Sequence, residues 1–299
     1  MKQGRKLPRQ GDSSKVMPIT PEMHPSRSQI PGGWLDLVIR SARWTSYHRQ
    51  LYLISSGLRR IALANLKANA VDYEFRGMNV RFHPNGNLAE KRALLNPARF
   101  DADELAFIEE KLPVGGVFLD IGANVGLYAL VAAKATGREG RVLAFEPNPP
   151  VMERLTFNIA ANPPATSGLA PIEAIAKAVT GENGPVIFAP PPPNLGEGRV
   201  LTGDEHEEGS FSVEGIRLED CLSVHAITRT DMMKVDIEGH EIHALEPFFT
   251  GAPRALHPRH IIIERGDDAH WAPLASLLQK SGYKQFKSTH MNEIWEAQD

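Results

Sequence analysis

From Val71 to the C-terminus, segments with the residue pattern of a β-strand alternate with segments patterned like a helix. Several strand candidates are mostly apolar, as expected for parallel strands that are buried on both faces. This alternation predicts a parallel sheet whose strands are joined by crossover helices, and therefore an α/β domain over residues 71–299. The strand candidates are Val117–Ile121, Val142–Phe145, Ile172–Ile175, Val186–Phe188, Met232–Val235, Ile261–Ile263, Tyr283–Phe286 and Glu293–Glu296.

The residues before this domain divide into two predicted regions. Residues 1–33 are rich in Pro, Gly, Ser and charged side chains without any period, which predicts a disordered basic tail. Between Trp34 and Ala70 the apolar residues recur at helical spacing, which predicts a helical extension over residues 34–70. We expect Gly57 to separate two helices within this extension, because glycine is a poor helix former.

Charge is distributed unevenly along the chain. The 299 residues carry a formal net charge of −3, yet residues 1–60 contain 11 basic and 3 acidic side chains, which gives +8. A basic arm of this kind can make weak contact with an anionic surface, although a solvated tail that binds nothing is the simpler interpretation. Because no aromatic residue is interleaved with the basic ones before Trp34, no clear nucleic-acid partner is indicated.

Cysteine content and hydropathy bear on the compartment. Cys221 is the only cysteine, which excludes an intramolecular disulfide and a cysteine-based zinc site. The sequence has no apolar run long enough for a transmembrane helix, and its basic start is not followed by the apolar stretch of a secretion signal. We therefore predict a reducing, cytoplasmic location.

The segment from Val117 to Gly126, Val-Phe-Leu-Asp-Ile-Gly-Ala-Asn-Val-Gly, carries the strongest ligand-binding signal. An apolar strand runs into a glycine-containing turn and then a helix, which places a ligand at the carboxyl end of the strand. Asn124 breaks the Gly-x-Gly-x-x-Gly pattern of dinucleotide sites, and Asp120 favours a ligand with a cationic amine over a diphosphate. The alternative is an ordinary turn with Asp120 and Asn124 as local caps.

A second strand candidate also ends in an acid. Glu146 follows Val142–Phe145 and precedes Pro147 and Asn148. A carboxylate at this strand tip is suited to hydrogen bonds with the two hydroxyls of a ribose. Its alternative role is that of an acid at the start of the helix that opens at Pro149. Together, Asp120 and Glu146 indicate an adenosyl ligand without phosphate.

These two segments resemble class I S-adenosylmethionine (SAM)-dependent methyltransferases, and a third identifies a narrower family. Met233-Lys234-Val235-Asp236-Ile237-Glu238-Gly239-His240-Glu241 resembles the Lys-Ile-Asp-Val-Glu-Gly-x-Glu signature of FkbM-type methyltransferases. The resemblance runs from about Asn79 to Ile263. It implies a Rossmann-like, seven-stranded, mostly parallel sheet with flanking helices, SAM as cofactor, and methylation of a small-molecule or glycan hydroxyl acceptor. The first 70 residues and the loop from Pro190 to Gly209 lie outside the family pattern.

The resemblance also implies roles for individual residues. The methionine part of SAM would face the first motif, the ribose would face the second, and adenine would lie near the end of the third strand. The cofactor-binding residues implied in this way are Asp120, Gly122, Ala123, Asn124, Gly126, Glu146, Pro147, Asn148, Ala178 and Val179.

The candidate catalytic residues are Asp236, Glu238 and His240, which follow the fourth strand of the implied sheet. Methyl transfer from a sulfonium needs alignment of oxygen, methyl and sulfur, and an alcohol acceptor gains from a base. The alternatives are that Asp236 caps a helix, that Glu238 is a helix-start acid, and that His240 is an exposed first-turn residue. These side chains could also hold a metal ion, but His240 and His243 lack zinc-helix spacing, so no metal is predicted.

The sequence leaves two other functions open. A nicotinamide-dependent oxidoreductase uses a similar sheet, but Asn124 disfavours it. A non-catalytic SAM-fold protein acting through its basic N-terminal arm is the other alternative.

Overall fold

The computed structural model describes residues 29–67, 70–189, 197–201, 205, 207–266 and 268–298. Positions 1–28 of the predicted disordered tail therefore lie outside the described residues. Most of the loop from Pro190 to Gly209 also lies outside them. Gln29, the first described residue, exchanges hydrogen bonds with Asp72.

Two helices form the N-terminal extension, as the sequence predicts. Helix α1 spans Trp34–Ser46 and helix α2 spans Tyr52–Asn65. The expected break at Gly57 is wrong, because Gly57 lies inside α2 on its exposed side. The chain turns instead at residues 47–51, where His48 has extended backbone angles. A single exposed glycine weakens a helix by only about 1 kcal/mol, which packing of the helix on its neighbours can offset.

A β-hairpin joins the helix pair to the rest of the chain. Strands β1 (Val71–Phe75) and β2 (Met78–Phe82) pair antiparallel and are followed by α3 (Leu88–Leu95) and α4 (Ala102–Lys111). The hydroxyl of Tyr73 in β1 donates to Asp36 of α1 over 2.7 Å. Ile39 of α1 and Ala62 of α2 are fully buried in the same core cluster as the hairpin.

A seven-stranded sheet forms the centre of the described structure, in the order β11-β12-β10-β9-β3-β4-β5. Its pairings are parallel except for those of β12, which is antiparallel to both neighbours. This confirms the predicted Rossmann-like, mostly parallel α/β fold. Its strands are β3 (Val117–Ile121), β4 (Arg141–Phe145), β5 (Ile172–Ile175), β9 (Met232–Val235), β10 (His260–Glu264), β11 (Tyr283–Ser288) and β12 (Asn292–Ala297).

Helices cover both faces of this sheet. Adjacent residues of β3 separate the two sides, since Phe118 belongs to one buried cluster and Leu119 to the other. The remaining helices are α5 (Leu127–Thr136), α6 (Pro149–Ala160), α7 (Pro164–Ser167), α8 (Leu218–Val224), α9 (Glu241–Gly251) and α10 (Asp268–Lys280). Within the described part of the chain, no helix combines the length and apolarity needed to cross a membrane.

A smaller sheet stands apart from the main one. It contains β6 (Ala178–Val179), β7 (Gly184–Phe188) and β8 (Phe211–Ile216), in the order β6-β8-β7. The strand predicted at Val186–Phe188 therefore exists, but it pairs with β8, which the sequence pattern did not predict. Phe188 and Val200 are buried with Ala178 in a separate apolar cluster beside this sheet.

Candidate active site

The central strands β3 and β9 lie side by side and their connections leave in opposite directions. After β3 the chain builds β4 and β5 on one side, whereas after β9 it builds β10 on the other. Such a reversal opens a crevice at the carboxyl ends of the two strands, where α/β proteins bind ligands. The N–H of Asp236, just after β9, donates to the carbonyl of Ile121 over 3.0 Å. The two strand tips are therefore fixed against each other.

Two glycines allow this close arrangement. Gly122 has φ +80°, and a Cβ at this position would lie 1.8 Å from the carbonyl oxygen of Asp236. Gly126 has φ +87°, and a Cβ there would lie 2.5 Å from Leu155 of α6. Any other residue at either position would clash and be strained. Gly126 thus permits close contact between the start of α5 and α6.

A cavity opens at these strand tips, and we call it the strand-tip cavity; its empty volume, including space open to solvent, is about 610 Å³. Residues from both sheets line it: Ile121, Gly122, Asn124, Phe145, Glu146, Pro147, Asn148, Lys177, Ala178, Val179, Phe188, Gly198, Arg199, Val200, Asp236, Ile237, Glu238 and His240.

Ten of the thirteen candidate site residues predicted from the sequence line this cavity. The three that do not are Asp120, Ala123 and Gly126. Side chains alternate across a strand, so Asp120 points away from the face that Ile121 presents, and it is fully buried. Burial raises the pKa of Asp120 to about 6, which Lys234 opposes. The structure therefore places Asp120 behind the cavity wall, close to Lys234.

Glu146 is the acid best placed for a ribose. Its two carboxylate oxygens accept backbone hydrogen bonds of 2.9 Å from Asn124 and from Asn148. Burial raises the pKa of Glu146 to about 7, although these two N–H groups favour the charged form. The N–H of Asn148, the residue just before α6, thus orients the carboxylate, so Glu146 also lies at the start of that helix.

The opposite wall is apolar and comes largely from parts of the chain outside the sequence motifs. Ala178 and Val179 were expected there, and Phe188 and Val200 join them. Phe188 packs against Phe211 of β8, with ring centroids 5.6 Å apart. The alternation Phe-Ser-Val-Glu-Gly-Ile over β8 is a strand signal that could have identified this wall from the sequence.

Lys234 and Asp236 form an ion pair at the tip of β9. The Lys234 ammonium is 6% exposed and lies 2.8 Å from the Asp236 carboxylate and 3.2 Å from the carbonyl of Gly122. Burial works against both charges, but Lys234 lowers the pKa of Asp236, and Asp236 with Asp120 raises the pKa of Lys234. Asp236 is therefore ionised at neutral pH. Because its carboxylate bonds to Lys234, Asp236 is not the helix cap considered as an alternative.

Glu264 is an acid of the site to which the sequence pattern assigned no role. Its carboxyl shares a hydrogen bond with Asp236. Burial and the Asp236 charge raise the pKa of Glu264 to about 9, so Glu264 holds a proton at neutral pH and donates it to Asp236. In the sequence, Glu264 only follows the strand candidate Ile261–Ile263, and nothing in a single strand shows which acid of a neighbouring strand it will meet.

Glu238 occupies a strained position between the two strand tips. Its backbone has φ +54°, which is unfavourable for a residue with a side chain. Two effects raise the pKa of Glu238 to about 7. Burial is the larger, and repulsion from the charges of Asp236, Glu197 and Glu241 is the smaller. A carboxylate that titrates near neutral pH is well suited to accept a proton.

His240 is less suited to that role than its ordinary pKa suggests. It is 8% exposed, which rules out the exposed first-turn position considered as an alternative. Burial and then His243 lower its pKa to about 4, so the ring is neutral. Glu241 is structural, since its carboxylate accepts hydrogen bonds from the backbone of Ile237 and Gly239.

Two further cavities adjoin the strand-tip cavity, and Glu238 lines all three. Asp236 also lines the first of the two further cavities, and Glu264 lines both of them. The Tyr128 cavity is lined by Asn87, Leu88, Ala89, Arg92, Phe100, Asp101, Asn124, Tyr128, Glu197, Asp236, Glu238, Glu264, Met291 and Asn292. The Trp271 cavity lies on the other side and includes Glu238, His240, Glu264, Arg265 and Trp271. A second ligand in either cavity would therefore meet the first one at the Glu238 carboxyl group.

The same three acids offer oxygen ligands that all lie within 4.8 Å of one another, which is compatible with a divalent cation. The set differs from the one weighed in the sequence, since Glu264 takes part and the histidines do not. Lys234 and the shared proton of Glu264 already compensate the charge of Asp236. The prediction of no metal stays a prediction.

Replacement of Glu238 by Gln should stabilise the protein at alkaline pH. Folding raises the pKa of Glu238 from 4.5 to about 7, so the folded chain binds its proton more tightly than the unfolded chain. Stability is then lost as pH rises through this window. At pH 8 we expect the free energy of unfolding of Glu238→Gln to exceed that of the wild type by about 1–2 kcal/mol, after allowance for solvent screening. Near pH 4.5 the two should melt alike.

Thermal melts at both pH values test this expectation. Glu153→Gln, a matched change at an exposed position of α6, should leave the melting temperature unchanged at either pH. Equal melting of wild type and Glu238→Gln at pH 8 would show that the Glu238 carboxylate is not destabilising.

Comparison with known proteins assigns the chain to a protein family. The family model described as "Methyltransferase FkbM domain" matches residues 120–285, which is more than half of the chain and overlaps all three sequence motifs. The chain is 27% identical over 168 residues to "Hexuronic acid methyltransferase AglP" of Haloferax volcanii, covering 55% of this chain and 62% of that protein. It is 31% identical over 164 residues to "Methyltransferase sdnD" of Sordaria araneosa, covering 45% and 61%.

The chain thus spans about three fifths of the length of these curated relatives. Solved structures with a similar fold include a SAM-dependent O-methyltransferase from Thermotoga maritima, with a TM-score of 0.42, 12% identity and coverage of 81% of this chain and 82% of that one. Another is a methyltransferase FkbM from Methylobacillus flagellatus, with a TM-score of 0.40, 12% identity and coverage of 70% and 54%.

Proposed function

The chain belongs to the methyltransferase FkbM domain family, and from that premise we propose that it is an O-methyltransferase that transfers the methyl group of SAM to a hydroxyl of a sugar or related small molecule. The observation that carries this proposal is the Glu238 carboxyl group, which lines the strand-tip cavity and both adjoining cavities, with carboxyl oxygens of Asp236 and Glu264 within 4.8 Å. Cofactor and acceptor, bound in neighbouring cavities, would meet there.

The chemistry of the strand-tip cavity fits SAM. Glu146 offers carboxylate oxygens for ribose hydroxyls, and Ala178, Val179 and Phe188 offer an apolar wall for adenine. Gly122 and Asn124 line the same cavity and would face the methionine part. SAM supplies an activated methyl group whose leaving group is a neutral thioether, so no acid is needed to expel it.

Within this proposal Asp236 and Glu238 have different roles toward the acceptor hydroxyl. Asp236 is ionised and fixed by Lys234, so it would accept a hydrogen bond from the hydroxyl and orient it. Glu238 has a pKa of about 7 and would take the proton as the oxygen attacks. Glu264 already holds a proton and would keep Asp236 in place. His240 has a pKa of about 4 and would contribute shape rather than basicity.

The charge of the site favours a neutral acceptor. The acids at the cavity junction would repel a carboxylate, whereas they accept hydrogen bonds from hydroxyls. The arginines of the adjoining cavities are already engaged with acids: Arg92 with Asp101, Arg199 with Glu205 and Glu207, and Arg265 with Asp268 and Glu293. We therefore propose a neutral polyhydroxyl acceptor, in contrast to the hexuronic acid named for the Haloferax relative.

Calorimetry and a methyl-transfer assay test this function. We expect the chain to bind SAM but not NADH, the ligand of an oxidoreductase. With deuterated-methyl SAM and a panel of neutral glycosides and matching hexuronates, we expect mass-shifted products from the neutral members. Labelled hexuronates alone would contradict the acceptor assignment, and NADH binding without SAM binding would contradict the proposed activity.

A further inference from the structure

The two helices before the α/β domain expose much apolar surface. Nine large apolar side chains of α1, α2 and the turn between them are at least 42% exposed: Trp34, Leu37, Trp44, Tyr47, Tyr52, Leu53, Ile54, Ile61 and Leu63. In the rest of the described chain, exposed apolar residues of this size occur one at a time on separate elements. Isolated exposed apolar residues are ordinary, but a concentration of them marks an interaction surface.

Each helix carries its exposed apolar residues on one side. Trp34, Leu37 and Trp44 follow helical spacing along α1, and Leu53 and Ile61 do so along α2. The opposite sides are used for folding, since Ile39, Ala42, Ala62 and Leu66 are buried in the protein. The outward faces are therefore not needed to hold the helices on the domain.

Charge identifies what these outward faces would contact. Residues 34–67 contain six basic side chains and one acidic side chain, which gives +5. Arg49 and Arg60 are exposed, and the Arg99 guanidinium lies 5.0 Å from the ring centre of Tyr52. Trp and Tyr favour the boundary between lipid and water, and basic residues bind anionic headgroups.

The same positive charge argues against another part of this protein, or a second copy of it, as the partner of the outward faces. Residues 1–28 contain six basic and two acidic residues, so they would be repelled by the helix pair. A second copy would place +5 against +5. We propose that α1 and α2 bind the surface of an anionic lipid bilayer, with their Trp, Tyr and Leu side chains in the headgroup region.

This docking would bring one of the cavities near the bilayer. α1 packs on α3, and Leu88, Ala89 and Arg92 of α3 line the Tyr128 cavity. The lipid-binding surface itself does not depend on methyl transfer, so it can be tested without an acceptor.

Vesicle co-sedimentation of the full chain tests the proposal. We expect binding to vesicles of phosphatidylcholine mixed with phosphatidylglycerol, little binding to phosphatidylcholine alone, and weakening with salt. The variant Trp44→Ser/Leu53→Ser/Ile54→Ser should bind at least about ten-fold more weakly. Arg49→Gln and Arg60→Gln should each weaken binding about five-fold. SAM binding should stay at the wild-type level in all of them.

A matched control variant shows whether vesicle binding belongs to the helix pair. Val114→Ser/Val224→Ser removes two equally exposed apolar side chains elsewhere and should leave vesicle binding unchanged. Undiminished binding of the triple serine variant would overturn the proposal and assign lipid contact to basic residues outside the helix pair. Dimerisation that the triple variant loses, without vesicle binding, would overturn it in favour of a second copy.

Discussion

Asp236→Asn should lower the single-turnover rate of methyl transfer by about 10²-fold or more at saturating SAM, which is the range expected when the group that orients the acceptor hydroxyl is lost. The change removes the charge that faces Lys234 and the acceptor while keeping the shape of the side chain. SAM affinity should change much less, because Asp236 is only one of many residues that line the strand-tip cavity. Calorimetry and rapid-quench measurements on the same preparation give both quantities.

Stability must be separated from chemistry in this variant. The buried Lys234 ammonium loses its nearest carboxylate, which should cost roughly 1–3 kcal/mol of folding free energy. The double variant Lys234→Met/Asp236→Asn removes the unpaired charge, so it should recover stability while turnover stays low. Asp231→Asn, at the other end of β9, should leave turnover unchanged. Wild-type turnover in the folded Asp236→Asn variant would remove Asp236 from the active site.

Glu146→Ala should weaken SAM binding about 10- to 100-fold, because a hydrogen bond to a charged group contributes roughly 1.5–3 kcal/mol. Its carboxylate lies at the tip of β4 and lines the strand-tip cavity. The N–H groups of Asn124 and Asn148 lose their acceptor, so a modest fall in melting temperature should accompany the loss of affinity. Titration calorimetry at a temperature where the variant is folded measures the effect.

A ligand lacking both ribose hydroxyls makes the assignment specific. The ligand is an analogue of S-adenosylhomocysteine without the two ribose hydroxyls. In the wild type, it should bind more weakly than S-adenosylhomocysteine itself, by a factor similar to that by which Glu146→Ala weakens SAM binding. In Glu146→Ala the two compounds should bind almost equally, since the partner of the hydroxyls is gone. Glu173→Ala, on the neighbouring strand β5, should affect neither compound. Full discrimination between the compounds in Glu146→Ala would assign the ribose contact to another residue.

The buried parallel strands were predictable from the sequence because their position dictates their composition. Val117–Ile121 and Met232–Val235 are fully buried and have the bounds that the pattern predicts, as does the partly buried edge strand Ile172–Ile175. Strand β8 was missed because its alternation follows a loop rich in glycine and charge, and its partner β7 was assumed to join the main sheet. The break between α1 and α2 was misplaced because local propensity at Gly57 was given more weight than packing.

The site was predictable to the extent that it follows strand tips. A motif at a strand end fixes where Gly122, Asn124 and Glu146 lie, since parallel strands end at one edge of the sheet. It does not fix which way Asp120 points or which acid of another strand meets Asp236. The contact between Asp236 and Glu264, and the pKa values it sets, depend on the order of strands in space.

Asn124 connects the two ligand cavities through its own hydrogen bonds. Its N–H donates to Glu146, its side chain accepts from Asn87 over 2.8 Å, and it lies in the walls of both the strand-tip and the Tyr128 cavity. If a ligand bound in one cavity restrained Asn124, it would alter the free energy of binding in the other. By thermodynamic reciprocity, occupancy of either cavity would then change affinity at the other by the same factor. Order of binding and cooperativity between donor and acceptor would thus be set by one asparagine amide.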